Sequence, residues 1–184
     1  MKKTLLLYCH PNAQASRANR RIVEELRQIP HLTFHPLYEH YPEFYIDVAR
    51  EKRLLLEHQV VIWQHPLYWY SMPPLMKLWL DQVLEYDFAY GPDGSSLRGK
   101  QLMLSLTTGG ARGNYRAGEL HGAELSSYLT PYEQTARFCG MDWQNPQVLY
   151  EALDASDEDL SAYALRLRSL VEDLARVSHP GGKS

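Results

Sequence analysis

Short apolar runs alternate with longer amphipathic stretches along the chain. The apolar runs are the length of strands and cover residues 4–9, 32–38, 59–64, 101–107 and 147–150. The first, third and fourth are continuous rather than alternating, which is typical of parallel strands covered on both faces. The second contains Pro36 and the fifth is short. The pattern predicts a sheet of five strands.

The intervals between these runs have the periodicity of helices. Apolar residues recur at spacings of three and four within residues 16–29, which places them on one helix face. Further helices are predicted from a cap at Asp47 to about His58, from Pro73 through Leu84, from Ala123 to Phe138, and over residues 160–174 behind a capping box of Ser156 and Asp159. Pro131 is expected to kink or break the fourth helix.

The alternation of strands and helices indicates the fold class. It predicts an α/β fold of the flavodoxin-like type, a doubly wound five-stranded parallel sheet with helices on both faces. No linker interrupts the pattern, and 184 residues suit one domain. We expect a domain over residues 1–177 and a flexible C-terminal tail over residues 178–184, which contain Pro180, Gly181 and Gly182.

Composition excludes several classes of protein. The formal charge is −3, and basic residues alternate with acidic ones, so no nucleic-acid partner is expected. The two cysteines, Cys9 and Cys139, are too few for a disulfide framework and are expected to be buried thiols. The eight histidines lack metal-ligand spacing, so no metal site is predicted. The low cysteine count fits a reducing cytoplasm. The apolar run near the N-terminus is too short for a signal sequence or membrane span, so any membrane association is expected to come through a partner.

The segment after the first strand, His10 to Asn19, enters a helix. Free N–H groups at a helix start attract phosphate, and Ser16, Arg17 and Asn19 supply a hydroxyl, a positive charge and an amide. The alternative is that Ser16 only caps the helix. No glycine-rich loop is present, so the segment is neither a P-loop nor a dinucleotide fingerprint.

Two further strand ends carry unusual sequence. Residues 65–74 hold three consecutive aromatic residues between prolines, a stiff loop that can contact a planar ring or else pack as an ordinary loop or an oligomer contact. Residues 107–122 hold paired glycines, whose N–H groups can stabilise negative charge on a bound ring, together with the donors Tyr115 and His121. The alternative for this second segment is a flexible surface loop.

These segments resemble the DT-diaphorase family of flavodoxin-like NAD(P)H:quinone oxidoreductases. The motifs are H-P-x4-S-x-A-N at 10–19, P-L-x-W-Y-S-x-P-P-L-x-K-x-W-x-D at 66–81, T-T-G-G-x4-Y-x5-H-G at 107–122, and F-A-Y-G at 88–91 followed by Leu97, Gly99 and Lys100. Within this family, residues 37–47 and 63–66 are most similar to the ancillary subunits of bacterial glutathione-gated potassium-efflux antiporters.

The resemblance implies a set of roles. The cofactor is FMN rather than FAD, NAD(P)H is the co-substrate, and hydride passes to a quinone in a ping-pong cycle within a homodimer. The flavin phosphate and ribityl chain would be held by His10, Ser16, Arg17, Ala18 and Asn19. The isoalloxazine would be lined by Pro66, Leu67, Tyr68, Trp69 and Tyr70, and its edge would be met by Thr107, Thr108, Gly109 and Gly110. The catalytic residues that assist hydride transfer would be Tyr115 and His121.

The resemblance also implies a partner and leaves alternatives open. An ancillary subunit would activate a potassium-efflux antiporter and would lie at the cytoplasmic face of the inner membrane through that protein. The alternatives are a regulatory flavoprotein with little physiological enzyme activity, and an FMN or azo-dye reductase. Arg112 and Arg116 are not required by the family pattern. They favour NADPH, an anionic acceptor or an anionic partner, or are simply solvated.

Overall fold

A computed structural model describes residues 1–176. The strands are β1 (Thr4–Tyr8), β2 (Leu32–Pro36), β3 (Val60–Pro66), β4 (Gln101–Thr107), β5 (Asp142–Trp143) and β6 (Gln147–Leu149). The helices are α1 (Arg17–Leu26), α2 (Leu37–His40), α3 (Val48–Glu57), α4 (Pro74–Val83), α5 (Leu125–Phe138) and α6 (Asp157–Arg176). Short 3-10 turns cover Ala13–Ala15 and Arg112–Asn114.

All strand pairs are parallel, in the order β2-β1-β3-β4-β5, which confirms the predicted fold class. The outer edge of β4 is shared between two short strands. β5 pairs with Gln101 and Leu102, whereas β6 pairs with the stretch from Ser105 to Thr107. Pro146 lies between β5 and β6 and has no N–H to donate to a ladder, so the fifth position of the sheet is interrupted there.

Helices cover both faces of the sheet because successive strand residues point to opposite sides. On β1, Leu5 and Leu7 pack into a core with residues of α3, α4 and α5, whereas Leu6 packs into a second core with α1 and α6. All three leucines are fully buried. Each such side chain contributes about 2 kcal/mol of hydrophobic free energy. Continuous apolar strands are therefore required by this arrangement.

A buried carboxylate joins four elements at one edge of the domain. Glu51 on α3 accepts hydrogen bonds from His35 Nε2 (2.8 Å) and Trp79 Nε1 (2.7 Å), and from the hydroxyl of Tyr41. Burial opposes the charge, but these donors together hold the pKa of Glu51 below its ordinary value. His35 is thus a buried histidine whose ring is satisfied by a hydrogen bond. The same holds for His58, which contacts Thr33 and the Leu54 carbonyl.

Some local expectations were wrong and others are confirmed. Of the kink or break expected at Pro131, the break does not occur, because α5 is continuous through the proline, and it begins at Leu125 rather than at Ala123. The second strand ends at Pro36 instead of Tyr38, because the chain turns directly into α2. Asp47 caps α3 by accepting the Arg50 N–H at 2.9 Å. Cys9 and Cys139 are free buried thiols, and the expected tail, residues 178–184, lies outside the described residues.

None of the helices found within residues 1–176 has the length and apolar character that crossing a lipid bilayer requires.

Candidate functional site

A cleft of about 390 Å³ opens at the carboxyl ends of β1, β3 and β4. Ligands of open α/β sheets bind at this edge. The cleft brings together parts of all three segments that the sequence singled out. Its lining residues are His10, Ala15, Ser16, Arg17, Ala18, Asn19, Pro66, Leu67, Tyr68, Thr107, Thr108, Gly109, Ala152 and Leu153.

The start of α1 forms one end of the cleft. Ser16 Oγ caps the helix by accepting the Asn19 N–H at 3.3 Å, so the capping role is real and coexists with a position in the cleft wall. The N–H groups of Arg17 and Ala18 belong to the first turn, where no intrahelical acceptor is within reach. Unpaired donors and the positive end of the helix dipole make this end of the cleft suitable for a phosphate group.

Asn19 fixes the geometry of this end. Its side chain is 2% exposed and donates through Nδ2 to Ser16 Oγ (3.0 Å) and to Thr107 Oγ1 (2.9 Å). Its Oδ1 accepts from Gln64 Nε2 at 2.7 Å. Asn19 therefore ties α1 to β3 and β4 and holds the hydroxyls of Ser16 and Thr107 in the cleft wall. The sequence did not single out Gln64, which looked like an ordinary strand residue.

His10 lines the cleft as a neutral imidazole. Its Nδ1 accepts the Asn12 N–H at 3.0 Å, which leaves Nε2 as the protonated nitrogen of the ring. Burial lowers its pKa and so favours the uncharged form. The ring lies between Tyr8, which stacks on it with centroids 6.3 Å apart, and the edge of Tyr68 at 6.2 Å.

The aromatic segment folds into a tight hairpin. Tyr68 and Ser71 exchange backbone hydrogen bonds of 3.0 and 2.9 Å. The two residues between them, Trp69 and Tyr70, both have left-handed backbone angles, with φ of 48° and 64°, as a type I′ turn requires. Bulky residues are strained in that region. Pro66, Leu67 and Tyr68 face the cleft, whereas Trp69 is 92% exposed and Tyr70 stacks on Tyr128 at 4.7 Å.

Tyr115 and His121 form a stacked pair beside the cleft. Their rings are 4.1 Å apart, and Tyr115 is 4% exposed. The Tyr115 hydroxyl lies 2.5 Å from Thr108 Oγ1, so it meets the cleft wall through Thr108. The Tyr70 hydroxyl is 3.4 Å from His121 Nδ1, which connects the hairpin to this pair.

Gly110 is needed for the stacked pair to form. A Cβ atom at this position would lie 2.5 Å from His121 Nε2 and 3.1 Å from the Tyr115 ring. Any side chain would therefore push the histidine away. Its N–H donates to Thr108 Oγ1 at 3.3 Å, and Gly110 itself does not line the cleft.

The loop after β6 supplies a wall that the sequence analysis missed. Ala152 and Leu153 line the cleft, and the Ala152 N–H donates to the Thr108 carbonyl at 2.9 Å. The sequence offered one indication of this role, which is the position of the loop after the strand at the fifth position of the sheet.

Arg112 stands 4.7 Å over the Tyr150 ring, while Arg116 is exposed.

His65 is buried at the end of β3 and precedes the cleft residue Pro66. Its Nδ1 lies 2.9 Å from the Pro66 carbonyl oxygen, to which it donates, and its ring stacks on Tyr132 at 5.6 Å. Burial lowers the pKa of His65 from 6.5 to about 4. The side chain is therefore a neutral support for the cleft wall and not a charged group.

Comparison with known proteins identifies similar chains. Residues 2–171 match the flavodoxin-like fold family. The glutathione-regulated potassium-efflux system ancillary protein KefG of Yersinia enterocolitica is 46% identical over 162 residues, which cover 88% of each chain. General stress protein 14 of Treponema denticola, solved in complex with FMN, is 35% identical, with a TM-score of 0.89 and coverage of 94% of this chain and 99% of that one. An NADPH-quinone reductase from P. pentosaceus is 26% identical, with a TM-score of 0.85 and coverage of 96% and 99%.

Proposed function

Because the chain belongs to the flavodoxin-like NAD(P)H:quinone reductase family, we propose that it is an FMN-dependent NAD(P)H:quinone oxidoreductase. Hydride would pass from NAD(P)H to a quinone-type acceptor in a ping-pong cycle. The proposal rests on the make-up of the cleft. The N-terminus of α1 forms one end of it, and the Tyr115–His121 pair lies beside its wall.

The cleft residues fit a flavin mononucleotide. A volume of about 390 Å³ is within the range of small-molecule sites. The start of α1, with the hydroxyl of Ser16, would hold the phosphate, and the apolar surface of Pro66, Leu67 and Tyr68 would hold the ring. When bound, the flavin supplies the hydride-accepting and hydride-donating chemistry, and the protein binds and polarises it.

Tyr115, Thr108 and His121 would handle charge and protons. The 2.5 Å contact between the Tyr115 hydroxyl and Thr108 Oγ1 places one O–H donor at the cleft wall. A fixed donor there stabilises negative charge that develops on the reacting groups, and it costs little reorganisation because the stack with His121 already holds the ring. Such groups typically contribute about 10²- to 10⁴-fold to a rate.

The first experiment is an absorbance spectrum of the purified chain, followed by addition of NADPH and then of a quinone. We expect the bands of oxidised flavin, their loss with NADPH and their return with the quinone. A colourless chain that neither FMN nor FAD reconstitutes would refute the enzyme proposal. A Tyr115→Phe, His121→Ala double variant should bind flavin but reduce quinone at least about tenfold more slowly. Tyr90→Phe, a change outside the cleft wall, is the matched control.

The identity to KefG motivates a second role. We infer that the chain is also an ancillary activator of a glutathione-gated potassium-efflux antiporter, bound to it at the cytoplasmic face of the inner membrane. Potassium efflux from cells that hold the antiporter, with and without the chain, tests this role. If the double variant activates efflux as well as the unaltered chain does, the regulatory role does not depend on quinone reduction. If the double variant fails to activate efflux, activation and quinone reduction depend on the same residues.

We further propose a homodimer. Trp69, Leu120 and Leu153 are 92%, 77% and 83% exposed, and Leu153 belongs to the cleft wall. Large exposed apolar side chains are suited to contact with a second copy. Analytical ultracentrifugation of the flavin-loaded chain should show a dimer that Trp69→Ser weakens. A monomer at all concentrations would contradict this part of the proposal.

A further inference from the structure

Two cavities meet at the side chain of Arg17. One is the cleft of about 390 Å³. The other, of about 230 Å³, lies between the starts of α1 and α6 and is lined, besides Arg17, by Arg20, Arg21, Glu24, Asp157, Leu160 and Ser161. Arg17 is the residue that the two linings share. Its side chain is therefore the partition between them.

Arg17 is held in this position from both sides. Its guanidinium donates through Nη2 to the Ala155 carbonyl oxygen, and its Nε lies 3.7 Å from the Asp157 carboxylate. The side chain thus bridges from the first residue of α1 to the loop and helix start on the opposite side. A second link between the same helices, from Arg21 Nε to Ser161 Oγ at 3.2 Å, lies behind the bridge.

This bridge closes the cleft at its phosphate-binding end. A mononucleotide whose phosphate rests on the start of α1 ends there. A dinucleotide has to continue past its first phosphate, and the direction toward the second cavity is blocked by the Arg17 bridge. The guanidinium also favours a terminal phosphate, which carries up to two negative charges, over one within a diphosphate linkage, which carries a single charge.

We propose that Arg17 is the specificity-determining residue that selects FMN over FAD in this cleft. The inference rests on the proposed flavin function and assigns the cofactor preference to one side chain. Loss of the bridge would join the two cavities, and the adenylate half of FAD would then extend between α1 and α6. In that cavity Arg20 and Arg21 would offer positive charge to its second phosphate, against the carboxylates of Glu24 and Asp157.

The test is a pair of binding titrations with flavin-free chain, in which quenching of flavin fluorescence gives the Kd of FMN and of FAD. We expect the unaltered chain to bind FMN more tightly. Arg17→Ala should lower the ratio of the FAD Kd to the FMN Kd by about tenfold or more, with weaker FMN binding and stronger FAD binding. Asp157→Ala, which loosens the bridge but keeps the cation, should strengthen FAD binding alone. Arg53→Ala, an exposed arginine on α3 that lines neither cavity, is the matched control and should leave the ratio unchanged.

The possible failures are distinguishable. Binding of FMN with an unchanged ratio in Arg17→Ala and Asp157→Ala overturns the assignment of Arg17 and leaves the proposed function intact. A chain that binds neither flavin overturns the proposed function and the assignment together. Arg17 and Asp157 are both exposed at the surface, so neither substitution removes core packing, and circular dichroism of each variant verifies the fold.

Discussion

The buried imidazole of His65 makes the stability of the domain depend on pH in a defined window. Above pH 6.5 neither the folded nor the unfolded chain protonates this residue, so it carries no penalty. As the pH falls from 6.5 to about 4, the unfolded chain takes up a proton that the folded chain refuses, and stability is lost throughout that range. Lowering a pKa from 6.5 to about 4 corresponds to about 3 kcal/mol, at about 1.4 kcal/mol per pKa unit.

The assay is urea denaturation of the unaltered chain and of His65→Asn at about pH 7.5 and about pH 5. Asparagine keeps a donor for the Pro66 carbonyl but does not titrate. Between these two pH values the unaltered chain should lose about 2 kcal/mol more stability than the variant does. Val61→Ala, a buried change on the same strand without a titratable group, should cost the same at both pH values. Equal pH dependence in the unaltered chain and in His65→Asn would refute the reasoning.

Three further substitutions test other contacts. Gly110→Ala forces His121 out of its stack, so quinone reduction should fall by about tenfold or more while absorbance shows that flavin is still bound. Glu51→Gln replaces one acceptor oxygen by an amide donor that faces the donors of His35 and Trp79. It should lower the free energy of unfolding by about 3 kcal/mol in urea denaturation, whereas the exposed Glu39→Gln should change it very little. Asp47→Ala should cost about 1 kcal/mol through loss of the cap, and Asp47→Asn should retain most of that stability, as thermal melting can show.

The parts of the fold that were predictable are those where one local rule and the packing agree. The continuous apolar runs of β1, β3 and β4 follow from burial on both faces, and capping side chains marked helix starts such as Asp47. The sequence did not predict β5, because a strand of two residues is too short to show a pattern of apolar and polar positions. Of the kink or break expected at Pro131, the break does not occur, because Leu129, Tyr132 and Ala136 bury the same helix face on either side of the proline.

The site was predictable in its location but not in its inner contacts. The carboxyl ends of parallel strands meet at one edge, so three unusual segments were bound to lie together. Gln64 gave no signal, since it reads as the end of a buried strand, and His65 was singled out only as the start of the aromatic segment, not as a support of the cleft wall. Leu153 gave none because an exposed leucine is common on any surface. The directions of Trp69 and Tyr70 depend on the turn type, and their sequence is unlike the Asn-Gly pairs that usually mark a type I′ turn.

The strain in this hairpin links the single chain to the proposed assembly. Two bulky residues in left-handed conformations cost of order 1–3 kcal/mol each. The ring of Tyr70 stacks on Tyr128 and its hydroxyl lies near His121, which offsets part of that cost within the chain. Trp69 gains nothing comparable, because it is 92% exposed. Its conformation is instead set by the turn, and it leaves an exposed indole that the second copy of the proposed dimer would cover.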